Sequence, residues 1–327
     1  MERNGICIAG SLIADRFYEV DSYPDEGFLS MVRSATMHVG GSGNLILDLA
    51  KLDKNLAVKV CAVVGEDQSG KELLEALGRY KNIDTNDILC EGESSVTLVI
   101  NANDSKQRTF FFLPGASDVF NETKIHWENI NSRIFHLEYL LLMKKVDEKD
   151  DEYGTHGARI LKHAKDKGMI TSIDMVSERS ERVKKVVRPA LKFTDICCIN
   201  EVEAQAITGI EVVSRKTAEQ ALRELHRLGV SKWVVIHSPQ HNYGYDVTED
   251  RIVHLDSLKL PNGFIKGATG AGDAFCSGIL YGAHCGEDLE ASMKLAIACA
   301  ACSLSESNGT DGMRSRNEVL LLFRKYS

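Results

Sequence analysis

Along 327 residues, apolar runs of strand length alternate with helical patterns, and this alternation predicts an α/β fold: a mainly parallel sheet with helices on both faces. Two further observations narrow it. Strands joined in this way need right-handed crossovers, and ligands of such sheets bind at the carboxyl ends of the strands. Only five prolines occur, and neither repeats nor low-complexity linkers interrupt the chain, so residues 1–327 read as a single domain.

The first strand is expected at 5–9 and the first helix at 43–51, directly after the glycines Gly40 and Gly41. A strand at 56–64 leads through Gly65, Asp67 and Gly70 into a helix at 71–80. The strand at 134–137 is followed by the charge run Glu148-Lys-Asp-Asp-Glu152, read as the solvated start of a helix at 153–167. Strands at 170–174 and 196–199 alternate with helices at 180–191 and 201–208, the latter opening on acidic residues that favour the helix dipole. A helix at 216–228 and a strand at 233–236 complete the alternation, and helices at 272–284, 289–305 and 316–323 follow. Two stretches break the rhythm. Residues 17–37 and 95–113 carry β-type patterns, including Val96-Thr-Leu-Val-Ile100 and Thr109-Phe-Phe-Phe112, without a helix of crossover length. Strands paired outside the main sheet would form a small β lid there.

Composition excludes some functions. A net charge of −8 with no long basic run argues against a nucleic-acid partner, because binding a phosphate backbone needs clustered Lys and Arg. The nine cysteines, odd in number and mostly in apolar stretches, read as reduced core thiols of a cytoplasmic protein. Cys299 and Cys302 have the spacing of a redox or metal pair, but they sit in a small-residue helix with no second pair nearby and read as helix packing. The start Met1-Glu-Arg-Asn4 has no apolar segment of signal-peptide length, and no stretch approaches a ~20-residue membrane span. No membrane partner is expected.

The most informative segment is Gly267-Ala-Thr-Gly-Ala-Gly-Asp273-Ala-Phe275. Backbone N–H groups of a glycine-rich turn opening a helix can converge on an anion, since no side chain blocks the approach and the helix N-terminus carries partial positive charge. An aspartate at such a site would repel a phosphate unless it accepts a proton from an attacking hydroxyl. A glycine-rich turn before a buried helix is the plainer reading, and the segment alone leaves both open.

The segment resembles the second signature of the ribokinase-like (PfkB) family of carbohydrate kinases, usually Asp-Thr-Thr-Gly-Ala-Gly-Asp followed by a small residue and Phe. Thr269 through Phe275 match it. The stretch from Ile6 to Asp15 resembles the family's first strand with its acidic tip, and Pro24-Asp-Glu-Gly27 the turn after it. Gly40-Gly-Ser-Gly-Asn44 with Leu49-Ala-Lys-Leu52 resembles the first signature, Val64 to Gly70 the Gly-x-Asp-x-x-Gly turn, and Asn200-Glu-Val-Glu203 the Asn-x-x-Glu element.

This resemblance, from about residue 5 to about residue 320, implies a ribokinase-like fold with a β lid over the sugar site, and ATP with Mg²⁺. It implies Asp273 as general base, with the N–H groups of Gly270, Ala271 and Gly272 as anion hole. Asp15, Gly40, Gly41 and Asn44 would bind acceptor hydroxyls, and Glu138 is a further candidate sugar ligand. Asn200 and Glu203 would organise water around Mg²⁺, which keeps several waters and needs no protein-only site. Partners are then ATP and a small sugar or nucleoside, with a homodimer through the lid as a further expectation.

Read from the residues alone, Asp15 serves equally as a turn or cap residue, Asn44 as a helix N-cap, and Asn200 to Glu203 as a helix start. Arg108 reads as either a phosphate or sugar contact or an exposed lid residue. His136, His237 and His241 read as structural. The chain also departs from the family pattern. Gly267 replaces the usual Asp that helps hold a monovalent cation, which argues against a tight cation. The turn His237-Ser-Pro-Gln-His241-Asn-Tyr-Gly244 lacks the expected Thr-x-Gly near the nucleotide, and the first signature is one residue short. The expected function is ATP-dependent phosphorylation of a primary hydroxyl on a sugar or sugar derivative. A nucleoside kinase, or a sugar- or nucleotide-binding protein of the same fold that has lost activity, are the alternatives.

Overall fold

In the computed structural model, which describes residues 3–105 and 107–327, the first strand serves two sheets. Met1 and Glu2, part of the N-terminus read above as lacking a leader, lie outside the described residues. β1 (Ile6–Val20) pairs through residues 6–11 with the main sheet and through 13–20 with a separate group of strands. The strand expected at 5–9 therefore continues past Asp15, which stands inside it rather than at its tip. The cause is tertiary: where the main sheet ends, β2 (Val32–Gly41) lies antiparallel alongside and sets Asp15 opposite His38. α1 (Ser42–Leu52) follows without a break, and β3 (Val58–Val64) is buried along its whole length.

α2 (Gln68–Gly78) opens on Asp67, whose carboxylate accepts from Gly70 N at 2.8 Å and from Ser94 N at 2.8 Å. The Gly65-Asp67-Gly70 turn is thus a cap that ties the helix to the next loop. β4 (Ile83–Cys90) was not expected, because its Asp-Thr-Asn-Asp stretch hides the apolar pattern. Lys59 Nζ holds two of those carboxylates, Asp84 at 2.8 Å and Asp87 at 2.5 Å. β5 (Ser95–Ala102) and β6 (Arg108–Leu113) form an antiparallel pair beside the outer half of β1, giving with β2 the small β lid.

β7 (Ile134–Leu140) and the short α3 (Lys144–Asp147) come next. The charge run 148–152 is not a helix start: β8 (Lys149–Asp150) pairs with β9 (Gly154–Thr155), and α4 (His156–Asp166) begins only after Thr155 caps Ala158 N at 3.2 Å. The Asp150 carboxylate accepts from the N–H groups of Glu152 and Tyr153, which turns the chain before a helix can form. Then follow β10 (Ile170–Met175), α5 (Arg182–Leu191), β11 (Ile196–Asn200), α6 (Glu201–Thr208), α7 (Arg215–Arg227) and β12 (Trp233–His237). β13 (His241–Asp246) and β14 (Arg251–Asp256), also unexpected, turn back antiparallel at the sheet edge. α8 (Ala271–Cys285), α9 (Leu289–Ser303) and α10 (Arg316–Tyr326) complete the chain.

The main sheet runs β14-β13-β12-β11-β10-β7-β1-β3-β4, parallel from β12 to β4. One apolar core lies between it and α1, α2, α8, α9 and α10, the other between it and α4 to α7. Each fully buried Leu or Ile in these layers is worth about 1.5–3 kcal/mol, so the strand ends they anchor are rigid points. Cys299 and Cys302 are buried in the first core, on α9. No helix among the described residues is long and apolar enough to cross a membrane.

Candidate active site

Consecutive strands of the parallel sheet deliver polar side chains at their carboxyl ends: His237 from β12, Asn200 from β11, Asp174 from β10, Glu138 and Tyr139 from β7, and Asp15 from the extension of β1. With the lid above them they enclose a cavity of about 340 Å³, lined by Asp15, Asn44, Asp174, Glu203, Thr269 and Asp273 among others. Phe110 of the lid also lines it.

The floor is the glycine turn before α8. Gly270 takes a left-handed φ of 76°, and a Cβ there would meet the Gly309 backbone at 2.5 Å, so only glycine lets residues 267–270 and 307–310 pack this closely. Among the described residues, the N–H groups of Gly270 and Gly272 have no backbone partner, and that of Ala271 reaches Ala268 O only at 3.4 Å. These are the orphan donors of a helix N-terminus, and Gly270 and Gly272 line the cavity.

Asp273 sits in the first turn of α8, where Asn44 Nδ2 donates to its Oδ2 at 2.9 Å and the Tyr139 hydroxyl donates to Oδ1. Burial, seconded by the neighbouring Glu138 charge, raises its pKa to about 7 despite those hydrogen bonds. Asp15 is raised to about 6, mainly by burial. Its carboxylate fills the space that a Cβ on Gly40 would take. Gly41, at a φ of 60°, turns the chain from β2 into α1 and so brings Asn44 to Asp273.

Asn200 and Glu203 form a capping box on α6: Asn200 Oδ1 accepts from Val202 N and Glu203 N, and Asn200 N donates to Glu203 Oε2 at 2.9 Å. The helix-start reading thus holds for this pair, and both residues also line the cavity. Burial raises the Glu203 pKa to about 7.

Glu138 is the sequence-predicted sugar ligand that does not reach the wall. It is fully buried, pairs with His136 Nε2 at 3.0 Å and is pushed up to about 8 by burial, while Tyr139 takes the wall position. The reason is packing: the carboxyl is enclosed beneath the strand ends, within 4.8 Å of Asp174 and Asp273. Asp174 was missed as a site residue. Its signal was available, since it is a carboxylate ending an apolar strand of a parallel sheet. His237 also lines the cavity, stacked on Phe275 at 4.9 Å, and burial lowers its pKa to about 4, so it is neutral. His241 meets His254 and Asp256 within 4.8 Å once β13 and β14 pair, a proximity invisible before that pairing is known.

Between the two loops, Gly267 offers a monovalent cation no side-chain oxygen. Ser303 Oγ, with one proton to give, lies 3.2 Å from Gly309 O and 3.4 Å from Thr269 O, and Arg108 Nη2 donates to Ser307 O at 3.2 Å.

Comparison with known proteins decides the family: residues 3–316 match the model of the pfkB family carbohydrate kinases. The chain belongs to that family. Its members are phosphotransferases that use ATP and act on sugar hydroxyl groups. A ribokinase from Haemophilus influenzae is 21% identical, over 97% of this chain and 98% of its own. The fold is shared with a structure of Arabidopsis thaliana ribokinase complexed with ribose and ATP (TM-score 0.82, 21% identity, all of both chains). A Methanocaldococcus jannaschii nucleoside kinase shares it as well (TM-score 0.76, 17% identity, all of both chains).

Proposed function

We propose that this family member transfers the terminal phosphoryl group of ATP to a primary hydroxyl of a sugar or sugar derivative. The observation that carries the reading is Asp273, a carboxyl at the start of α8 whose pKa of about 7 suits a base working near neutrality, in a cavity that Asp15 and Asn44 also line. As the acceptor oxygen bonds to the γ-phosphorus and the bond to the ADP oxygen breaks, the hydroxyl proton passes to Asp273. The N–H groups of Gly270, Ala271 and Gly272 face the charge that spreads over the phosphoryl oxygens. Asp15 and Asn44 take the other acceptor hydroxyls, Gly40 leaves room for the Asp15 carboxylate, and Gly41 lines the cavity beside them.

Asp174 and Glu203 present hard oxygens on the cavity wall, a donor set that fits Mg²⁺ held largely through water. When bound, the ion neutralises polyphosphate charge. Glu138, beneath the site, acts on the proton affinity of Asp273.

Nucleosides are a second acceptor class, favoured by the faces of Phe17 and Phe110 on the cavity wall, which suit a base. We read the chain as one catalytic unit, with the β strands around Phe110 as its lid. The exposed Phe28, Leu29, Phe111 and Leu113 support a homodimer through that lid. An ADP-release assay across pentoses, hexoses, sugar acids and nucleosides tests the reading. A sugar giving saturable release supports it, release with nucleosides alone moves the assignment to the second class, and nucleotide binding without release from any acceptor overturns both.

A further inference from the structure

β13 and β14 pair antiparallel at the edge of the main sheet, with His241 opposite Asp256 and His254 opposite Tyr243. Residues directly opposed across a ladder point to one face, and alternate residues of a strand share it, so His241, His254 and Asp256 converge on one side of the ribbon. Their ligand atoms all lie within 4.8 Å of one another. His241 Nδ1 is 2.8 Å from Asp256 Oδ1, and His254 Nε2 is 3.4 Å from the same oxygen. Neighbouring ligand atoms on a tetrahedral Zn²⁺ ion, each about 2.0–2.1 Å from the metal, are about 3.3 Å apart, a value that the two spacings bracket. The His254 ring stacks on Tyr243, with centroids 4.7 Å apart and planes at 13°, which limits its rotation. Its Nε2 is closed to solvent and, among the described residues, has no hydrogen-bond partner, although it faces the Asp256 carboxylate. A buried nitrogen left without a partner costs stability, and giving its lone pair to a cation removes that cost. Among the described residues no lysine or arginine pairs with Asp256, so its charge is open to an ion.

We infer that His241, His254 and Asp256 form a binding site for a divalent transition-metal ion of the zinc type, apart from the cavity that takes Mg·ATP. Two imidazole nitrogens and a carboxylate oxygen supply three ligands of a tetrahedral ion, and water takes the fourth position. Mg²⁺ is a poor match, since it prefers oxygen ligands in an octahedral arrangement. The bound ion ties the start of β13 to the end of β14. The first of these follows the Ser238-Pro-Gln240 turn, directly after His237 of the cavity wall, and the second opens the segment 257–270 that leads to the glycine turn. An ion here therefore fixes the roots of two segments that reach the cavity.

The test is calorimetry with zinc chloride on the nucleotide-free protein, repeated in excess Mg²⁺. Wild type is measured beside His241→Gln, His254→Gln and Asp256→Asn, and beside a Cys90→Ser/Cys285→Ser variant, because those two thiols are exposed and also attract zinc. All three proposed ligands reach the surface in part, and circular dichroism checks that the variants fold. The expected result is zinc binding by wild type that excess Mg²⁺ leaves in place, a loss of affinity of at least roughly tenfold in each histidine variant and in Asp256→Asn, and no change in the cysteine variant. A wild type that binds no zinc overturns the inference. Binding that survives both histidine substitutions unchanged, or that disappears only with the cysteines, assigns the ion to other groups and overturns it as well, and none of these outcomes bears on the kinase reading.

Discussion

Asn44 Nδ2 donates to Asp273 Oδ2 at 2.9 Å across 229 positions of sequence. The bond joins the helix that follows the first glycine cluster to the helix that follows the second, and it holds the carboxyl in place at the N-terminus of α8. It also sets Asn44 beside the proposed base as well as making it a candidate ligand for the acceptor.

Replacing Asp273 by Asn keeps size and polarity while removing the proton acceptor. Turnover is expected to fall by roughly 10²–10⁴-fold with folding and acceptor binding retained, the usual worth of a general base. ADP release with the true acceptor, read beside a melting curve, checks this, and near-native turnover would remove Asp273 from the mechanism.

Asp273 must be ionised to act as a base, so kcat/KM is expected to fall as pH drops through about 7. Glu138, itself raised to about 8, titrates together with Asp273, so Glu138→Gln removes one of two interacting carboxyls and the acid limb should move to lower pH. Because the carboxyls lie close together, the limb reports the group rather than one residue. A pH–rate series on wild type and variant measures the shift. An unmoved limb would mean that Glu138 does not act on the base.

Asp15→Ala and Asn44→Ala are each expected to weaken acceptor binding by about 1–3 kcal/mol, the cost of leaving a buried polar partner unmatched. ATP affinity should change less, and Asn44→Ala should also lower kcat through its bond to Asp273. Calorimetry showing lost ATP binding with intact acceptor binding would reverse the assignment.

Exchanging K⁺ for Na⁺ or tetramethylammonium at fixed ionic strength is expected to alter activity by no more than about twofold, since screening is then constant and Gly267 gives such an ion no charged ligand. Strong, saturable activation by K⁺ would show that other oxygens build a cation site despite Gly267.

Asp48 lies one turn beyond Asn44 on α1, fully buried, with no partner among the described residues for either carboxylate oxygen. Burial first, and the Asp273 charge second, hold its pKa well above the ordinary value. A raised carboxyl favours the folded state at low pH and loses that contribution as pH rises through its folded value. Wild type should therefore lose stability relative to Asp48→Asn as pH rises from about 4 upward. Thermal unfolding across that range measures it, and parallel curves would show that Asp48 keeps an ordinary pKa.

Local signals made much of this molecule legible. The glycine turn before Asp273, the α/β alternation and the strand-end carboxylates can be read because each is a short-range pattern with a short-range cause. β4 and the β13–β14 pair were missed because edge strands need not be apolar: Asp84 and Asp87 of β4 are held by Lys59 from the neighbouring strand.

The sequence by itself determined the family: a glycine turn with an aspartate behind it, and polar residues at the ends of apolar strands. It could not determine which neighbours surround each group once folded. Glu138 and Tyr139 are adjacent in the chain, yet packing encloses one beneath the sheet edge and sets the other on the cavity wall. Asp174 and Arg108 acquire their surroundings only when β10 joins the sheet and the lid reaches Thr269 and Ser307. Residue types and spacing follow from the chain, but burial, electric field and hydrogen-bond partners depend on contacts between distant segments, and these set the proton affinity of Asp273 and the placement of the lid's charge.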